Sequence, residues 1–286
     1  MSEQDTGKFR INTKDQYYTK SSVAIKCVAQ ILELYPESRD YVWVEPSAGN
    51  GAFLNQVPAN ANKIGIDIEP KMAGIQQGDF LEWTPPSPFT CKKIFFGNPP
   101  FGRQGSLAKA FIKHAAKYAD IIAFILPRSF VKPSMSRAFP LEFHPISSIE
   151  LERNAFQVNG DEYDVPCVFQ IWEKRATNRV LPEAVKETGF SYVKINEPFD
   201  IAFTRAGGRA GICYKAGSKE FNVQCFYFIR LDKNKNKDKH KDKETDIVEK
   251  IINGVNSHKF PDNTVGPRSL SKPEANEVLN RIIRDC

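Results

Sequence analysis

Long apolar segments are missing from this chain. The longest uninterrupted apolar stretch, Ile121 to Leu126, has six residues, whereas a membrane-spanning helix needs about 20. The beginning of the sequence also lacks the apolar core of a signal segment. We therefore expect a soluble intracellular protein, in the cytoplasm or in the nucleoid or nucleus, without a membrane partner.

Paired cysteines are missing as well. The six cysteines are scattered, and no two of them form a Cys-x-x-Cys pair. Disulfide frameworks and zinc sites both require clustered or regularly spaced cysteines. The sequence therefore indicates neither of them; we expect no metal, and a reducing compartment fits best.

A strong charge of either sign is absent too. The formal net charge of the 286 residues is +6, which is compatible with a polyanionic partner but does not require one. The hydrophobic content of 41% is enough to bury the core of one large domain, or of one domain with a small appendage.

Ten residues, Lys93 to Gly102, carry the most specific pattern of the chain: Lys-Ile-Phe-Phe-Gly-Asn-Pro-Pro-Phe-Gly. The apolar run predicts a buried strand of a parallel sheet. The two prolines after it fix successive φ angles and end any regular structure. We expect Asn98 and Phe101 on a stiff loop beyond the carboxyl end of a strand, where open α/β sheets bind their ligands.

Such a loop suits chemistry on an aromatic exocyclic amine, which is a poor nucleophile because its lone pair is delocalised into the ring. The side-chain oxygen of Asn98 can accept one N–H of the amine, and the Pro99 carbonyl can accept the other. Phe101 can stack on the ring face. The alternative is a structural Pro-Pro turn with a capping asparagine and a core phenylalanine.

This loop resembles the catalytic motif of class I, S-adenosylmethionine-dependent N6-adenine methyltransferases, and the resemblance covers roughly residues 15–174. It implies a Rossmann-like, doubly wound and mostly parallel α/β sheet, with S-adenosylmethionine as the cofactor. The order of the motifs is similar to the gamma arrangement. The catalytic residues that it implies are Asn98, Pro99, Pro100 and Phe101.

A glycine-rich segment, Glu-Pro-Ser-Ala-Gly-Asn-Gly from Glu45 to Gly51, follows a predicted strand. A glycine-rich turn between a strand and a helix lets a ligand approach the backbone closely. The segment lacks both the dinucleotide fingerprint and the phosphate loop. It resembles the first cofactor motif of the family, which implies that Glu45, Ser47, Gly49 and Gly51 face the cofactor.

Two acidic residues extend the resemblance. Asp67 ends a second predicted strand and matches the acid that binds the cofactor ribose, with Ile68 beside the adenine. Asp79 matches the acid that binds the adenine amino group, with Phe80 against its ring. Thr19, in an aromatic-aromatic-Thr step before a predicted helix, matches the residue that holds the cofactor carboxylate. The family has proline where this chain has Lys20, and an ordinary capped helix remains the alternative there.

Phe156 comes before a polar loop, 157–164, between two predicted edge strands. The resemblance places an aromatic ring here, on the far side of an extruded base, so that the base is held between Phe101 and Phe156. Stacking of this kind contributes roughly 1–3 kcal/mol per base. A plain core position for Phe156 is the alternative.

The family resemblance fades near residue 180. We expect a flexible arm at 1–14, a methyltransferase domain at 15–180, and a small C-terminal α+β appendage for target recognition at 181–286. The appendage contains a charged loop at 232–246. Arg205 and Arg209 lie in a glycine-rich turn between predicted strands, which suits contact with a phosphate, although a plain hairpin connection is equally compatible.

The expected function is transfer of a methyl group to the N6 amino group of adenine in DNA, with base flipping and direct in-line transfer. RNA, structural or messenger, is the first alternative substrate. A non-catalytic, methyltransferase-like module that binds nucleic acid is the second alternative. Because the appendage is small, a specificity partner subunit is a further possibility.

Overall fold

The computed structural model describes residues 17–86, 90–158, 160–232, 241–261, 264 and 268–286, and only the backbone of residues 241–246. The predicted arm at 1–14 and residues 233–240 of the predicted charged loop lie outside these ranges. The described residues form two compact units, and the chain passes from the first to the second between Leu181 and Pro182.

The N-terminal unit contains short strands and two α-helices, α1 (Ser21–Leu34) and α2 (Ser106–Ala115), within the described residues. The strands are β1 (Tyr18–Thr19), β2 (Val42–Glu45), β3 (Asn62–Asp67), β4 (Gln76–Gln77), β5 (Lys93–Gly97), β6 (Ile121–Pro127), β7 (Phe143–Glu150), β8 (Phe156–Val158), β9 (Asp161–Tyr163) and β10 (Cys167–Lys174).

Seven of these strands form one sheet in the order β4-β3-β2-β5-β6-β10-β7. Neighbouring strands from β4 to β6 are parallel, and β10 lies antiparallel between β6 and β7. The predicted fold class, a Rossmann-like and mostly parallel α/β sheet, is confirmed. The prediction of an edge strand at β10 is wrong, because β7 covers its outer side; its run of buried apolar residues is typical of an interior strand.

Helices cover both faces of this sheet, which explains why its central strands β2, β5 and β6 are buried along almost their whole length. On one face Trp43 packs in the same cluster as Ile31 of α1. On the other face Val44 and Phe95 pack in a cluster with Ile112 of α2. Because successive side chains of a strand point to opposite faces, the sheet separates the two halves of the core.

The segment after the glycine-rich turn differs from the prediction. Instead of an α-helix, a three-residue 3-10 helix, Leu54–Gln56, follows Gly51. Val57 precedes Pro58 and adopts an extended conformation (φ −65°, ψ 137°), as residues before proline prefer. The proline therefore ends the helix after a single turn.

The polar loop predicted at 157–164 also carries regular structure. β8 and β9 form a hairpin there, and β1 pairs with β8 to give a separate three-stranded sheet. Thr19 lies opposite Phe156 in this pairing. The sheet thus joins the segment before α1 to the segment that was expected to contact the target base.

The C-terminal unit has an antiparallel sheet of order β11-β14-β12-β13. Its elements are β11 (Phe190–Val193), β12 (Ile201–Thr204), β13 (Cys213–Lys215), β14 (Phe226–Leu231), α3 (Lys241–Ser257) and α4 (Lys272–Asp285).

The two helices of this unit pack on one face of its sheet. Ile201, Phe203 and Ile229 share a buried cluster with Val255 of α3 and Leu279 of α4. The loop predicted at 232–246 is wrong for its last six residues, because α3 begins at Lys241. None of the helices described in either unit combines the length and apolarity needed to cross a membrane.

Candidate active site

A cavity of about 360 Å³ lies at the carboxyl ends of β2, β3 and β5. We call it the N-terminal cavity. Parallel sheets place ligands at this edge, and small-molecule sites have volumes of about 300–1,000 Å³. The cavity therefore has the position and the size of a ligand site.

The structure brings seven of the sixteen predicted site residues together around this cavity. The predicted residues that line it are Ser47, Gly49, Asp67, Ile68, Phe80, Asn98 and Pro100. Sequence reasoning did not assign six other lining residues: Tyr17, Tyr18, Pro46, Glu69, Gly78 and Phe111. The aromatic pair before α1 was a usable signal for the two tyrosines, whereas nothing in the helical spacing of Phe111 marked it.

Asp67 is fixed by two backbone donors. Its Oδ2 accepts the N–H of Gly49 at 2.7 Å, and its Oδ1 accepts the N–H of Glu69 at 2.8 Å. Each carboxylate oxygen can accept more than one hydrogen bond. The partly exposed carboxylate is thus oriented, with capacity left for hydroxyl donors of a ligand.

Gly49 forms the floor next to this carboxylate. Its φ is +49°, and a Cβ atom there would lie 3.3 Å from Cε1 of Tyr18. A side chain would therefore crowd Tyr18 in a backbone conformation that L-residues rarely adopt. The glycine keeps the backbone accessible at this point of the cavity.

Asn98 presents an oriented amide to the cavity. Its Nδ2 donates a hydrogen bond to the Tyr17 carbonyl at 3.0 Å. Its Oδ1 is buried and accepts no hydrogen bond from any residue that the structure describes. The Ser47 hydroxyl donates to the Asn98 carbonyl at 2.9 Å, so that the glycine-rich segment holds the backbone of the Asn-Pro-Pro-Phe loop.

Phe101 lies beside this amide and is stacked against Tyr17. The two ring centroids are 6.5 Å apart with an interplanar angle of 23°, and Phe101 is 6% exposed. The Phe101 carbonyl accepts hydrogen bonds from the N–H groups of Leu107 and Ala108, which attaches the loop to α2. In this conformation Tyr17 occupies the position next to Phe101 that was expected for a base.

Glu45 is the last residue of β2 and is not among the residues that line the cavity. It is 2% exposed, and its Oε2 accepts the N–H of Leu54 at 3.0 Å. Burial raises the pKa of the Glu45 carboxyl well above its ordinary value of 4.5, and the charge of Asp67 acts in the same direction. Its side chain also lies against Gly97, where a Cβ atom would be 3.0 Å from Cγ of Glu45.

Three other residues assigned to the cofactor lie outside the cavity lining. Gly51 faces Met72, whose Sδ would be 2.4 Å from a Cβ atom at that position. Asp79 is exposed, and its Oδ1 accepts the N–H of Leu81 at 2.8 Å. Thr19 is buried, and its Oγ1 has no hydrogen-bond partner among the described residues. Their contacts with a cofactor stay predictions.

The remaining predicted residues are not among those that line this cavity. Pro99 is buried in the loop. Phe156 is fully buried on β8, with its ring edge-on to Tyr17 at 6.3 Å; its contact with a base stays a prediction. In the C-terminal unit, the Arg205 guanidinium lies 5.1 Å from the ring centroid of Tyr227, and Arg209 is exposed.

Among the described residues, no group of three or more histidine, cysteine or acidic side chains is placed to hold an ion. The Asp67 carboxylate and the Asn98 amide at the N-terminal cavity are hydrogen-bonded to backbone atoms instead.

No protein-family model and no curated protein sequence matches the chain. It is similar in structure to the methyltransferase subunit of a type I restriction-modification system from Streptococcus thermophilus, with 19% identity and a TM-score of 0.45 over 94% of this chain and 59% of that subunit. A Pyrococcus horikoshii protein with a provisional RNA methyltransferase assignment gives 16% identity and a TM-score of 0.45 over 57% of this chain and 90% of its own.

A Listeria monocytogenes protein, provisionally assigned as a class I S-adenosylmethionine-dependent methyltransferase, gives 13% identity and a TM-score of 0.45. The match covers 60% of this chain and 65% of that protein. At these identities the likeness concerns the fold alone. The seven-stranded sheet itself gives the N-terminal unit a Rossmann-like, mostly parallel α/β fold.

Proposed function

We propose that this protein is an S-adenosylmethionine-dependent methyltransferase that acts on the N6 amino group of adenine in DNA. The observation that carries the proposal is the Asn98 side chain. Its Oδ1 is a buried acceptor with no partner among the described residues, at a cavity that also contains the Asp67 carboxylate. A buried unsatisfied polar atom costs about 1–3 kcal/mol, and a substrate N–H would remove that cost.

The N-terminal cavity fits the proposed cofactor. The oriented carboxylate of Asp67 suits the two ribose hydroxyls, and the open backbone at Gly49 suits close approach of the ligand. Ile68 and Phe80 supply apolar surface for an adenine ring on the cavity wall. When bound, S-adenosylmethionine supplies an electrophilic methyl group on a sulfonium sulfur.

Asn98 and Pro99 would activate the target amine. The amine N–H groups donate to Oδ1 of Asn98 and to the Pro99 carbonyl, which localises the nitrogen lone pair toward the methyl group. The amine nitrogen would take up the methyl group in place of one proton, which is released to water. Because Nδ2 of Asn98 is already held by the Tyr17 carbonyl, the amide presents its oxygen without reorganisation.

Phe101 would hold the flipped base, and Phe156 remains the proposed second ring. In the described conformation Tyr17 stacks on Phe101. A base that stacks on Phe101 must therefore displace the Tyr17 ring, while the main-chain hydrogen bond from Asn98 can persist. Entry of the base thus requires the Tyr17 side chain to move while its main chain stays in place.

The test is transfer of labelled methyl groups from S-adenosylmethionine to matched pools of duplex DNA, single-stranded DNA and total RNA, followed by digestion to nucleosides. We expect label in N6-methyldeoxyadenosine, and its loss in Asn98→Ala. The matched control is Asn62→Ala, which removes an exposed asparagine at the start of β3 and should leave transfer unchanged.

The other outcomes would change the proposal in distinct ways. Label only in N6-methyladenosine would replace DNA by RNA as the substrate. Bound cofactor without label in any pool would favour the non-catalytic module. Label that appears only after cell extract is added, and only with intact Asn98, would indicate a required specificity subunit.

A further inference from the structure

The C-terminal unit has a cavity of its own, also of about 360 Å³, beside β11 and β14. We call it the C-terminal cavity. Aromatic side chains and lysines share its wall, among them Tyr192, Phe226, Tyr227, Lys194 and Lys272. Its surface is thus largely apolar but carries positive charge at the edge.

The two tyrosine rings are held in place before any ligand binds. The Tyr192 hydroxyl donates to Oδ1 of Asn276 at 2.6 Å, and the Tyr227 hydroxyl donates to the Leu270 carbonyl at 3.2 Å. The rings meet edge to face, with centroids 5.4 Å apart. Since the hydroxyls are used within the protein, the aromatic surfaces are what these residues offer to the cavity.

Cations lie directly over these rings. The Lys272 ammonium is 4.3 Å from the ring centroid of Tyr192, and the Arg205 guanidinium is 5.1 Å from that of Tyr227. No aspartate or glutamate is among the described residues that line the cavity. The wall therefore favours a ligand that combines a flat apolar ring with negative charge.

We propose that the C-terminal cavity binds an unpaired base of single-stranded DNA together with its phosphate. Lys272 would leave the Tyr192 ring and contact the phosphate together with Lys194, which opens the Tyr192 ring to the base. Asn196, on the same wall, carries an amide that can bond a base edge. The bases of an intact duplex are stacked inside and cannot enter. The choice of DNA rests on the proposed function; the base-binding geometry does not.

Val223 provides a sharp test because it lines the cavity yet is 58% exposed. Val223→Glu places a negative charge at the cavity without disturbing the core. The matched control is Val180→Glu, the same change at a valine that is 93% exposed and absent from the cavity wall. Fluorescence anisotropy of the full chain with a labelled single-stranded oligonucleotide should show about 5- to 150-fold weaker binding for Val223→Glu, the range for loss of one stacked base, and no change for Val180→Glu.

A second pair of variants tests the phosphate contact. Lys272→Gln should reduce the slope of log Kd against log salt by about 0.7, the value for one phosphate of a single strand. Lys215→Gln, whose lysine is paired with Glu249 and does not line the cavity, should leave the slope unchanged. Photo-crosslinking with 5-iodouracil in the oligonucleotide should label peptides that contain 192–196 or 223–228.

The outcomes separate this proposal from the proposed function. Unchanged binding by Val223→Glu, crosslinks outside those peptides, or preference for duplex DNA would overturn the cavity assignment, even if N6 methylation is observed. Stronger binding of single-stranded RNA than of DNA would overturn the choice of DNA. Loss of binding in Val223→Glu with intact cofactor binding would support the site, even if no methyl transfer is detected.

Discussion

At the residue scale, three polar side chains of the N-terminal unit are oriented by backbone atoms. Asp67 accepts the N–H groups of Gly49 and Glu69, Asn98 donates to the Tyr17 carbonyl, and Ser47 donates to the Asn98 carbonyl. Main-chain partners keep these groups in place without needing a second functional side chain. Such fixed groups reduce the reorganisation that binding and catalysis would otherwise require.

Asp67 and Asp79, two of the three acids assigned to the cofactor, should respond differently to the same substitution. Asp67→Asn replaces one acceptor oxygen by a donor, so it should weaken binding of S-adenosylmethionine at least about tenfold, in line with the 1.5–3 kcal/mol of a charged hydrogen bond. Asp79→Asn is the matched control: Asp79 is exposed, and the asparagine keeps an acceptor oxygen. Titration calorimetry measures both. A larger loss for Asp79→Asn would contradict the assignment of the ribose to Asp67.

Glu45 should make stability depend on pH. Because the pKa of its carboxyl is raised in the folded state, its contribution is fully present below the unfolded value near 4.5 and is lost as pH rises toward the folded pKa. The free energy of unfolding should fall by up to about 1.4 kcal/mol per pH unit in that window. Glu45→Gln, which can still accept the Leu54 N–H, should remove this slope.

Urea unfolding between pH 5 and 8 measures the free energy of unfolding of the wild type and of Glu45→Gln. For domains of this kind that free energy falls by about 1–3 kcal/mol per molar urea. The free energy of unfolding of Glu45→Gln, relative to that of the wild type, should increase with pH. Glu33→Gln, at an exposed position on α1, serves as the control and should follow the wild type. An equal slope in Glu45→Gln and the wild type would mean that Glu45 does not control it.

At the element scale, the loop between β5 and α2 depends on its glycines. Gly97 has a φ of +120°, Gly102 of +66° and Gly105 of +71°, and Gln104 also has a positive φ of 54°. A non-glycine residue in this region is strained, and strain of this kind is concentrated at functional sites. The loop geometry that presents Asn98 is therefore maintained by backbone conformations that only a few residue types tolerate.

A series of glycine-to-alanine variants separates strain from steric contact. Gly97→Ala combines a positive φ with a close contact to Glu45 and should cost about 1–3 kcal/mol of stability. Gly74→Ala has a positive φ but no atom within 4 Å of the new Cβ, so it should cost about 1 kcal/mol. Gly208→Ala has neither feature and should be neutral or slightly stabilising.

Chemical denaturation measures the stability of the three variants. The methyl-transfer assay reports whether the loop that carries Asn98 keeps its geometry. Only Gly97→Ala should also reduce transfer, because the contact between Gly97 and Glu45 positions the strand end before Asn98. Equal losses of stability in Gly97→Ala and Gly74→Ala would show that the contact with Glu45 contributes nothing.

At the scale of the whole molecule, each unit has its own buried core. The N-terminal unit has apolar clusters on both faces of its sheet, and the C-terminal unit has one cluster between its sheet and two helices. Each unit also has its own cavity. Ligands of the two cavities can therefore be tested separately in the full chain.

S-adenosylmethionine should stabilise the N-terminal unit selectively. At a concentration of about 100 times Kd, a ligand that binds only the folded state adds about 2.7 kcal/mol. Hydrogen exchange of the full chain should show added protection at 46–51 and 67–69, and unchanged exchange in α4. Protection confined to the C-terminal unit would contradict the location of the cofactor site. At the same cofactor concentration, Asp67→Asn should lower the stabilisation to about 1.4 kcal/mol or less, the value for tenfold weaker binding.

The sequence by itself determined the sheet and the loop at its edge. Apolar runs bounded by glycine and proline specify buried parallel strands. Two consecutive prolines end a strand or helix whatever the surrounding fold. These are local properties, which is why the positions of Asp67 and Asn98 at strand ends could be predicted. Seven predicted residues line the N-terminal cavity for the same reason.

Only the tertiary structure decided the contacts between distant segments. Tyr17 stacks on Phe101, more than 80 positions away, and Phe156 is buried by the pairing of β1 with β8. Side-chain burial and ring contacts depend on which segments meet in space, and residue type and local spacing do not encode this. The C-terminal cavity belongs to the same class, because its tyrosines and lysines come together only when the antiparallel sheet and α4 have assembled.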